Sequence, residues 1–337
     1  MRLSLAGAGY AAKVHALAAA EIPGATIAAV GTRSTGSAEE FAAELAAKPM
    51  SVDRLPAGGD AVVIATAPPN HAPLAIRLLN ESTPVLIEKP LATTLYEADA
   101  IIAAAERSGA AACYAENLLF APIIDLAVAR RQALGPLDHL EVRMVQPAPF
   151  WGHFLEPLTA GGVLYDLGSH AVALLMVMAG DDAIEGVRAR LVSSRDDGAD
   201  DGAHVEVRFA SRLIATIDTS WGGDVIDWSM QASSVAGVVR TELMPDLALE
   251  VDGEPVTLPE VDTAGDPRIY QLGYHAQLDG FCSVVARKGG RVCPVGFGRS
   301  VLEVLCAAYL SAGNDGEEVT LPFQGSRDLT PLQLWRS

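Results

Sequence analysis

Residues 2–12, RLSLAGAGYAA, read as a short apolar strand that runs through two glycines into an Ala-rich helix over 11–20. The alternation continues to residue 118. Strands are expected at TIAAVG (26–31), DAVVIAT (60–66), PVLIE (84–88) and AAACYAEN (110–117), with helices over 37–47, from Asn70 and from Thr94. Asn70 is placed as an N-cap with Pro73 in the first turn, and Thr94 with Glu97 makes a capping-box pattern. A strand that is apolar on both faces must be covered on both sides, and helices alternating with such strands do this in a parallel sheet. Residues 1–120 are therefore expected to form a doubly wound Rossmann-type domain, the first part of an α/β chain.

Gly7-Ala8-Gly9-Tyr10-Ala11-Ala12 fits G-x-G-x-x-G/A at the first strand-to-helix turn. Gly7 permits the tight turn, Gly9 lets the backbone approach a diphosphate, and Ala12 permits close helix–strand packing. The helix start at Tyr10 and Ala11 would supply N–H groups to that diphosphate. After the second strand a site for NAD usually has Asp or Glu, but this chain has Gly31-Thr32-Arg33-Ser34, and its next acid is Glu39. An Arg flanked by hydroxyls suits a 2′-phosphate, so NADP is expected, with NAD as the alternative. Thr66, Ala67, Pro68, Asn70 and His71 follow the third strand, and Glu88-Lys89-Pro90 follows the fourth. Both segments belong to the edge where ligands bind in such sheets.

The chain has 20 Arg but only four Lys, so Lys89 at that edge stands out: Lys shifts its pKa when buried, and Arg stays charged. The net charge is −18, and no basic stripe for a nucleic acid or an anionic membrane is visible. No apolar run reaches the length that spans a bilayer, and the N-terminus is broken by glycine too early for a signal segment. A cytoplasmic setting is expected. Cys113, Cys282, Cys293 and Cys306 form no CxxC pair and suggest neither zinc nor redox chemistry. No metal is expected.

From about Pro122 the pattern changes. A helix over 123–133 ends at Gly135-Pro136, and LDHLEVRMV (137–145) reads as a strand. Later come HVEVRFA (204–210), LIATIDTSW (213–221), WSMQASS (228–234), GVVRTELM (237–244) and a hairpin around Asp252-Gly253. Helices over 270–287 and 297–312 and a short strand, EEVTLP, follow. Residues 121–337 are thus expected to be an α+β domain with a large, mainly antiparallel sheet. The acidic SRDDGADDG (194–202) reads as a solvated hairpin loop. Between the first strand and the rest lies GGVLYDLGSH (161–170), where Asp166 and His170 stand four apart on one helical face behind two glycines. The spacing alone admits an acid–His pair, two metal ligands or a general acid/base pair.

Taken in order, GAGYAA, EKP and AGGVLYDLGSH resemble the Gfo/Idh/MocA oxidoreductases, named after glucose–fructose oxidoreductase and inositol dehydrogenase. The resemblance covers nearly the whole chain. It implies that Lys89, Asp166 and His170 form the catalytic group, that Asn117 of ENLLFAP approaches the nicotinamide, and that Tyr274 contacts substrate. It also implies a second-domain sheet with one face on the catalytic helix and the other in subunit contacts, hence a homodimer or homotetramer. Two positions depart from the pattern: Ala160 replaces the first glycine of a triplet, and Leu119 stands where an Arg is frequent.

The residues can perform the implied chemistry. A histidine's reference pKa, about 6.5, suits proton exchange near neutrality. His170 is assigned as acid/base, Asp166 as the group that orients it, and Lys89 as the group that polarises the reacting oxygen, with His170 and Lys89 free to exchange roles. Trp151 and His153, in an aromatic loop over 147–160, suit a sugar ring or simple loop packing. The expected activity is hydride transfer between a nicotinamide cofactor and a sugar or polyol. The alternatives are a lyase or epimerase that uses NAD transiently and a non-catalytic cofactor-binding sensor.

Overall fold

The computed structural model describes residues 1–337 apart from residues 34, 57 and 264. The chain divides into two compact units, Met1–Ala121 with Val261–Arg299, and Pro122–Glu260 with Ser300–Ser337. This differs from the expected 1–120 and 121–337 split in one respect: residues 261–299 return to the first unit.

In the first unit the described strands are β1 (Arg2–Ala6), β2 (Thr26–Thr32), β3 (Lys48–Ser51), β4 (Ala61–Ile64), β5 (Val85–Glu88) and β6 (Ala112–Ala115). They form one sheet in the order β3-β2-β1-β4-β5-β6, parallel throughout. Helices α1 (Tyr10–Ala20), α2 (Thr35–Glu44), α3 (His71–Asn80) and α4 (Leu95–Ser108) connect them. The strands β4 and β5 are buried at every position, as expected of a sheet covered on both faces. β3 was not legible, because its KPMS sequence carries a proline and no alternation; proline is tolerated there since β3 is an edge strand. Thr94 caps α4 by accepting from the Glu97 N–H at 3.1 Å, while the Glu97 carboxylate reaches Thr93 rather than Thr94.

In the second unit, helix α5 (Pro122–Gln132) and strand β7 (His139–Pro147) precede α6 (Val163–Ala179). Then come β8 (Ile184–Val192), β9 (Gly202–Phe209), β10 (Ile214–Ser220), β11 (Gly222–Ser234), β12 (Gly237–Met244), β13 (Ala248–Val251), β14 (Glu254–Pro255) and, late in the chain, β15 (Val319–Thr320). The sheet order is β14-β13-β12-β11-β7-β10-β9-β8-β15. All of its pairs are antiparallel except β10 with β7. Val205, Val207 and Phe209 of β9 are buried and alternate with His204, Glu206 and Arg208. Helix α6 lies on β7, β10 and β9. The Asp252-Gly253 turn closes the β13–β14 hairpin with φ of 54° and 81°, the double positive φ of a type I′ turn.

The returning segment carries α7 (Arg268–Gln271) and α8 (Tyr274–Val285). Ile269, Leu278, Phe281 and Cys282 join the core built by Leu3, Leu5, Ala12 and Ala16, which explains why it folds with the first unit. Helix α9 (Val295–Gly313) is long and apolar enough to cross a membrane by length and composition, contrary to the expectation that no run reaches that length. Its charges are used within the protein. Arg299 pairs with Asp99 at 3.2 Å, and Glu303 accepts the Phe323 N–H at 3.0 Å. With Val301, Leu302 and Leu305 also buried, it is a core helix. Helix α10 (Pro331–Arg336) ends the chain behind a complete capping box from Thr330 and Gln333.

Candidate active site

Because the strands of the first sheet are parallel, the residues after β1, β2, β4, β5 and β6 all emerge at one edge. That places Gly7, Gly9, Tyr10, Ala11, Thr32, Arg33, Thr66–His71, Glu88, Lys89 and Asn117 together; Ser34 lies outside the described residues. Gly7 is demanded by the fold. Its φ is +115°, and a Cβ would stand 2.3 Å from the Ala65 carbonyl oxygen. Gly9 is not. Its φ is −81°, and a Cβ would meet nothing within 4 Å. The glycine leaves open space at the start of α1, a helix with no side-chain cap on its N–H groups. The buried Thr66 hydroxyl at the same edge has no partner. A dinucleotide fits these residues: an uncapped helix start favours a diphosphate, and Gly9 lets it approach. Gly9→Ala is accordingly expected to leave Tm unchanged and to weaken dinucleotide binding about tenfold or more, a calorimetric titration being the check. Unchanged affinity would move the diphosphate elsewhere.

The two loops beside this edge are tied by His71, fully buried, with Nδ1 2.9 Å from the Pro90 carbonyl oxygen and Nε2 3.0 Å from that of Thr66. A neutral ring donates only one of these bonds, and burial holds the imidazole below its usual pKa despite both carbonyls. His71 is thus a brace between the two segments rather than a group turned to a ligand. Asn70 makes no side-chain cap on α3; its amide donates to the Ala67 carbonyl at 3.3 Å, because a 3-10 turn over Pro68–Asn70 precedes the helix. Arg33 is exposed at the end of β2. The Glu88 carboxylate takes a 2.7 Å bond from His15 of α1 and the Lys89 N–H at 3.1 Å. Burial pushes this carboxyl up, but the His15 bond, with the charges of His15 and Lys89, outweighs it and holds the group below the usual range. Asn117 is buried, and its amide donates to the Leu272 carbonyl at 2.8 Å. Tyr274 lies in this unit too, its ring centroid 6.1 Å from that of His15 in an edge-to-face arrangement. Burial, then the Glu88 charge, raises its hydroxyl pKa well above the usual value.

In the second unit the opening glycine pair of the helix motif is explained by a residue the sequence reading placed in solvent. Asp200 is fully buried. One of its carboxylate oxygens accepts the Gly162 N–H at 2.8 Å and the other the Leu164 N–H at 2.7 Å, while its backbone oxygen accepts the Val163 N–H at 2.9 Å. The Tyr309 hydroxyl donates to the first oxygen and receives the Gly162 N–H at 3.1 Å. These groups satisfy N–H donors that a helix start leaves open. A Cβ on Gly162 would lie 1.8 Å from the Asp200 backbone oxygen, and one on Gly161 would lie 2.6 Å from the Tyr309 hydroxyl. Ala160 is buried, and its backbone oxygen takes the Leu332 N–H at 2.8 Å. Burial pushes the Asp200 carboxyl up, against the pull of Tyr309 and the two amides. The expectation of a solvated loop over 194–202 is therefore corrected. Asp197 is also engaged, holding Arg195 at 2.8 Å and the Leu158 N–H at 2.8 Å.

From this start Asp166 falls in the first turn of α6 and His170 one turn on. His170 is buried, 5.9 Å from the ring of Trp228 on β11. In the preceding loop Trp151 is exposed and stands edge-on to Phe150 at 5.0 Å, and His153 packs on Phe154 at 4.0 Å, which in turn meets Trp221 at 5.6 Å. The sequence reading missed Asp200, Tyr309, Trp228 and His15. One signal existed for Asp200: a helix opened by Gly-Gly without Ser, Thr or Asp needs its cap from elsewhere in the chain.

Comparison with known proteins agrees with both units. Residues 1–116 match the model of an oxidoreductase family with an NAD-binding Rossmann fold, and residues 127–230 match the GFO/IDH/MocA C-terminal domain. The chain is 28% identical to a D-apiose dehydrogenase from Paraburkholderia graminis over 76% of this chain and 66% of that protein, so it spans just under two thirds of that relative. It is 24% identical to an inositol 2-dehydrogenase from Rhizobium meliloti over 88% and 92% of the two chains. A gentamicin A biosynthesis protein solved in complex with NAD superposes with a TM-score of 0.82 at 25% identity, covering 95% of this chain and 96% of that one.

Proposed function

Because the chain belongs to the Gfo/Idh/MocA oxidoreductase family with an NAD-binding Rossmann fold, we propose that it oxidises a hydroxyl of a sugar or polyol, or reduces the matching carbonyl, with Lys89, Asp166 and His170 carrying the proton chemistry. The observation that carries the reading is the helix start at Gly162, which fixes a carboxylate and an imidazole four residues apart on one helical face. A bound nicotinamide supplies the two-electron partner for the reacting carbon. His170 takes the hydroxyl proton at an imidazole nitrogen in the oxidative direction and returns it in the reductive one. Asp166 orients the ring. The Lys89 ammonium donates a hydrogen bond to the reacting oxygen. Trp151 and His153 offer ring faces to the substrate, a role that suits a polyol. The named relatives, dehydrogenases of apiose and inositol, support the same class.

Three finer points belong to this reading. The open face of the nine-stranded sheet, charged at Arg143, His204, Glu206 and Arg208, is assigned to contacts between copies in a homodimer or homotetramer. A cytoplasmic setting suits the four cysteines, all free and buried. NADP is the preferred cofactor, since Thr32 and Arg33 offer no carboxylate to repel a 2′-phosphate, while Arg33 is exposed and permanently charged. A charge-assisted bond of roughly 1.5–3 kcal/mol gives about 10- to 100-fold discrimination. Titration of both cofactors into wild type and Arg33→Ala tests this. Equal affinity for the two cofactors in wild type, or equal losses in the variant, would reduce Arg33 to a residue stacking on adenine. The activity itself is tested by following nicotinamide absorbance with inositols, aldoses and keto-sugars and both cofactors. Net absorbance change supports the reading; product without it would point to transient oxidation, and neither would point to a sensor.

A further inference from the structure

Asp200 and Tyr309 stand outside the Lys89, Asp166 and His170 set, yet they control where that set's helix begins. Three consecutive N–H groups, those of Gly162, Val163 and Leu164, are held by one residue through both carboxylate oxygens and its backbone oxygen. Tyr309 of α9 braces the same carboxylate and touches the Gly162 N–H. Both glycines exist in a form that no side chain could replace without displacing these atoms. The loop that leads into the helix is fastened as well. Asp197 takes the Leu158 N–H at 2.8 Å, the Thr330 hydroxyl donates to the Thr159 carbonyl at 3.1 Å, and Leu332 donates to that of Ala160 at 2.8 Å. Every residue from 158 to 160, and from 162 to 164, is therefore bonded to the 197–200 loop, α9 or the C-terminal helix.

Such fastening exceeds what a helix end needs. One carboxylate satisfying one amide is an ordinary cap; here three adjacent donors are fixed at once, and the rotation and rise of the first turn are fixed with them. Asp166 hangs from that turn, its N–H bonded to Gly162 at 3.0 Å, and its carbonyl accepts from Ser169 beside His170. We infer that Asp200 and Tyr309 are positioning residues for the Asp166–His170 pair, acting through the Gly162–Leu164 turn. This rests on the proposed function for its consequence, though not for its geometry.

Tyr309→Phe removes one hydroxyl from the clamp and keeps the ring packed, so it is the variant of choice; Asp200→Asn is its companion and is set aside if it does not fold. Turnover is measured with D-apiose and myo-inositol and both cofactors, with cofactor titration and local amide exchange in parallel. Tyr309→Phe is expected to lower kcat about 10- to 100-fold with KM and cofactor affinity unchanged. Exchange at Gly162 and Leu164 is expected to rise about tenfold while Tm holds. A stabilising residue with no part in positioning would lower Tm and leave kcat of the folded fraction intact. Wild-type kcat in Tyr309→Phe overturns the inference. If wild type turns over neither sugar, the functional reading loses support while exchange still decides the clamp: unchanged exchange in the variant overturns it.

Discussion

His170→Ala and Lys89→Met are each expected to lower turnover about 100- to 10,000-fold, the usual cost of removing a positioned proton-transfer or polarising group. Cofactor affinity should change little, because the residues that shape the dinucleotide edge, Gly7, Gly9 and the α1 helix start, remain. The two variants are expected to differ in a second respect. His170 is buried against Trp228, so truncation to Ala also leaves a cavity and lowers Tm. His170→Gln fills most of that volume without an acid/base of suitable pKa and separates the two effects. Lys89→Met keeps an unbranched apolar stem and loses the ammonium, its charge and its hydrogen-bond donors together. Stopped-flow turnover on the substrate found by screening is the measurement. Near-normal kcat in His170→Gln would remove His170 from its acid/base role, and near-normal kcat in Lys89→Met would do the same for Lys89.

The sequence carries this much because its signals are local. The apolar strands of the first unit cannot be stable with a face in water, so the parallel sheet follows from residues next to one another. The Asp252-Gly253 turn likewise declares its hairpin through two residues that accept positive φ. What the sequence hides is non-local. Asp200 lies 38 residues from Gly162, in a stretch dense enough in acids to resemble a solvated loop, and only the fold turns its side chain inward. The segment 261–299 reads as part of the second half because it follows the second sheet; its place is set by Leu278 and Phe281 meeting the α1 side of the first core. The same holds for His71. Its position after β4 is legible, but its two carbonyl contacts depend on the path of the Pro90 loop. Strand β8, IEGVRARLV, carries no clean strand pattern because Gly186 interrupts it.

Gly162→Ala is expected to prevent the second unit from folding, or to lower Tm so far that little native protein survives at 37 °C. The new methyl would stand 1.8 Å from the Asp200 backbone oxygen and 2.7 Å from its carbonyl carbon. Both are main-chain atoms, so no rotamer change relieves the clash. Either Asp200 or the start of α6 must move by more than an ångström. That movement breaks the bonds from Gly162, Val163 and Leu164, all of them inside the protein. A buried donor left unpaired costs about 1–3 kcal/mol, and three of them together cost about 3–9 kcal/mol. The total stability of a domain is about 5–15 kcal/mol, so the loss is of the same order as the whole. Gly296→Ala is the control: its Cβ would meet nothing within 4 Å, its φ is not positive, and the change is expected to be neutral or slightly stabilising. Thermal melts of the two variants side by side decide the matter. A Gly162→Ala protein that melts with wild type would mean that the Asp200 loop yields easily, and the same result would weaken the case that this loop fixes Asp166 and His170.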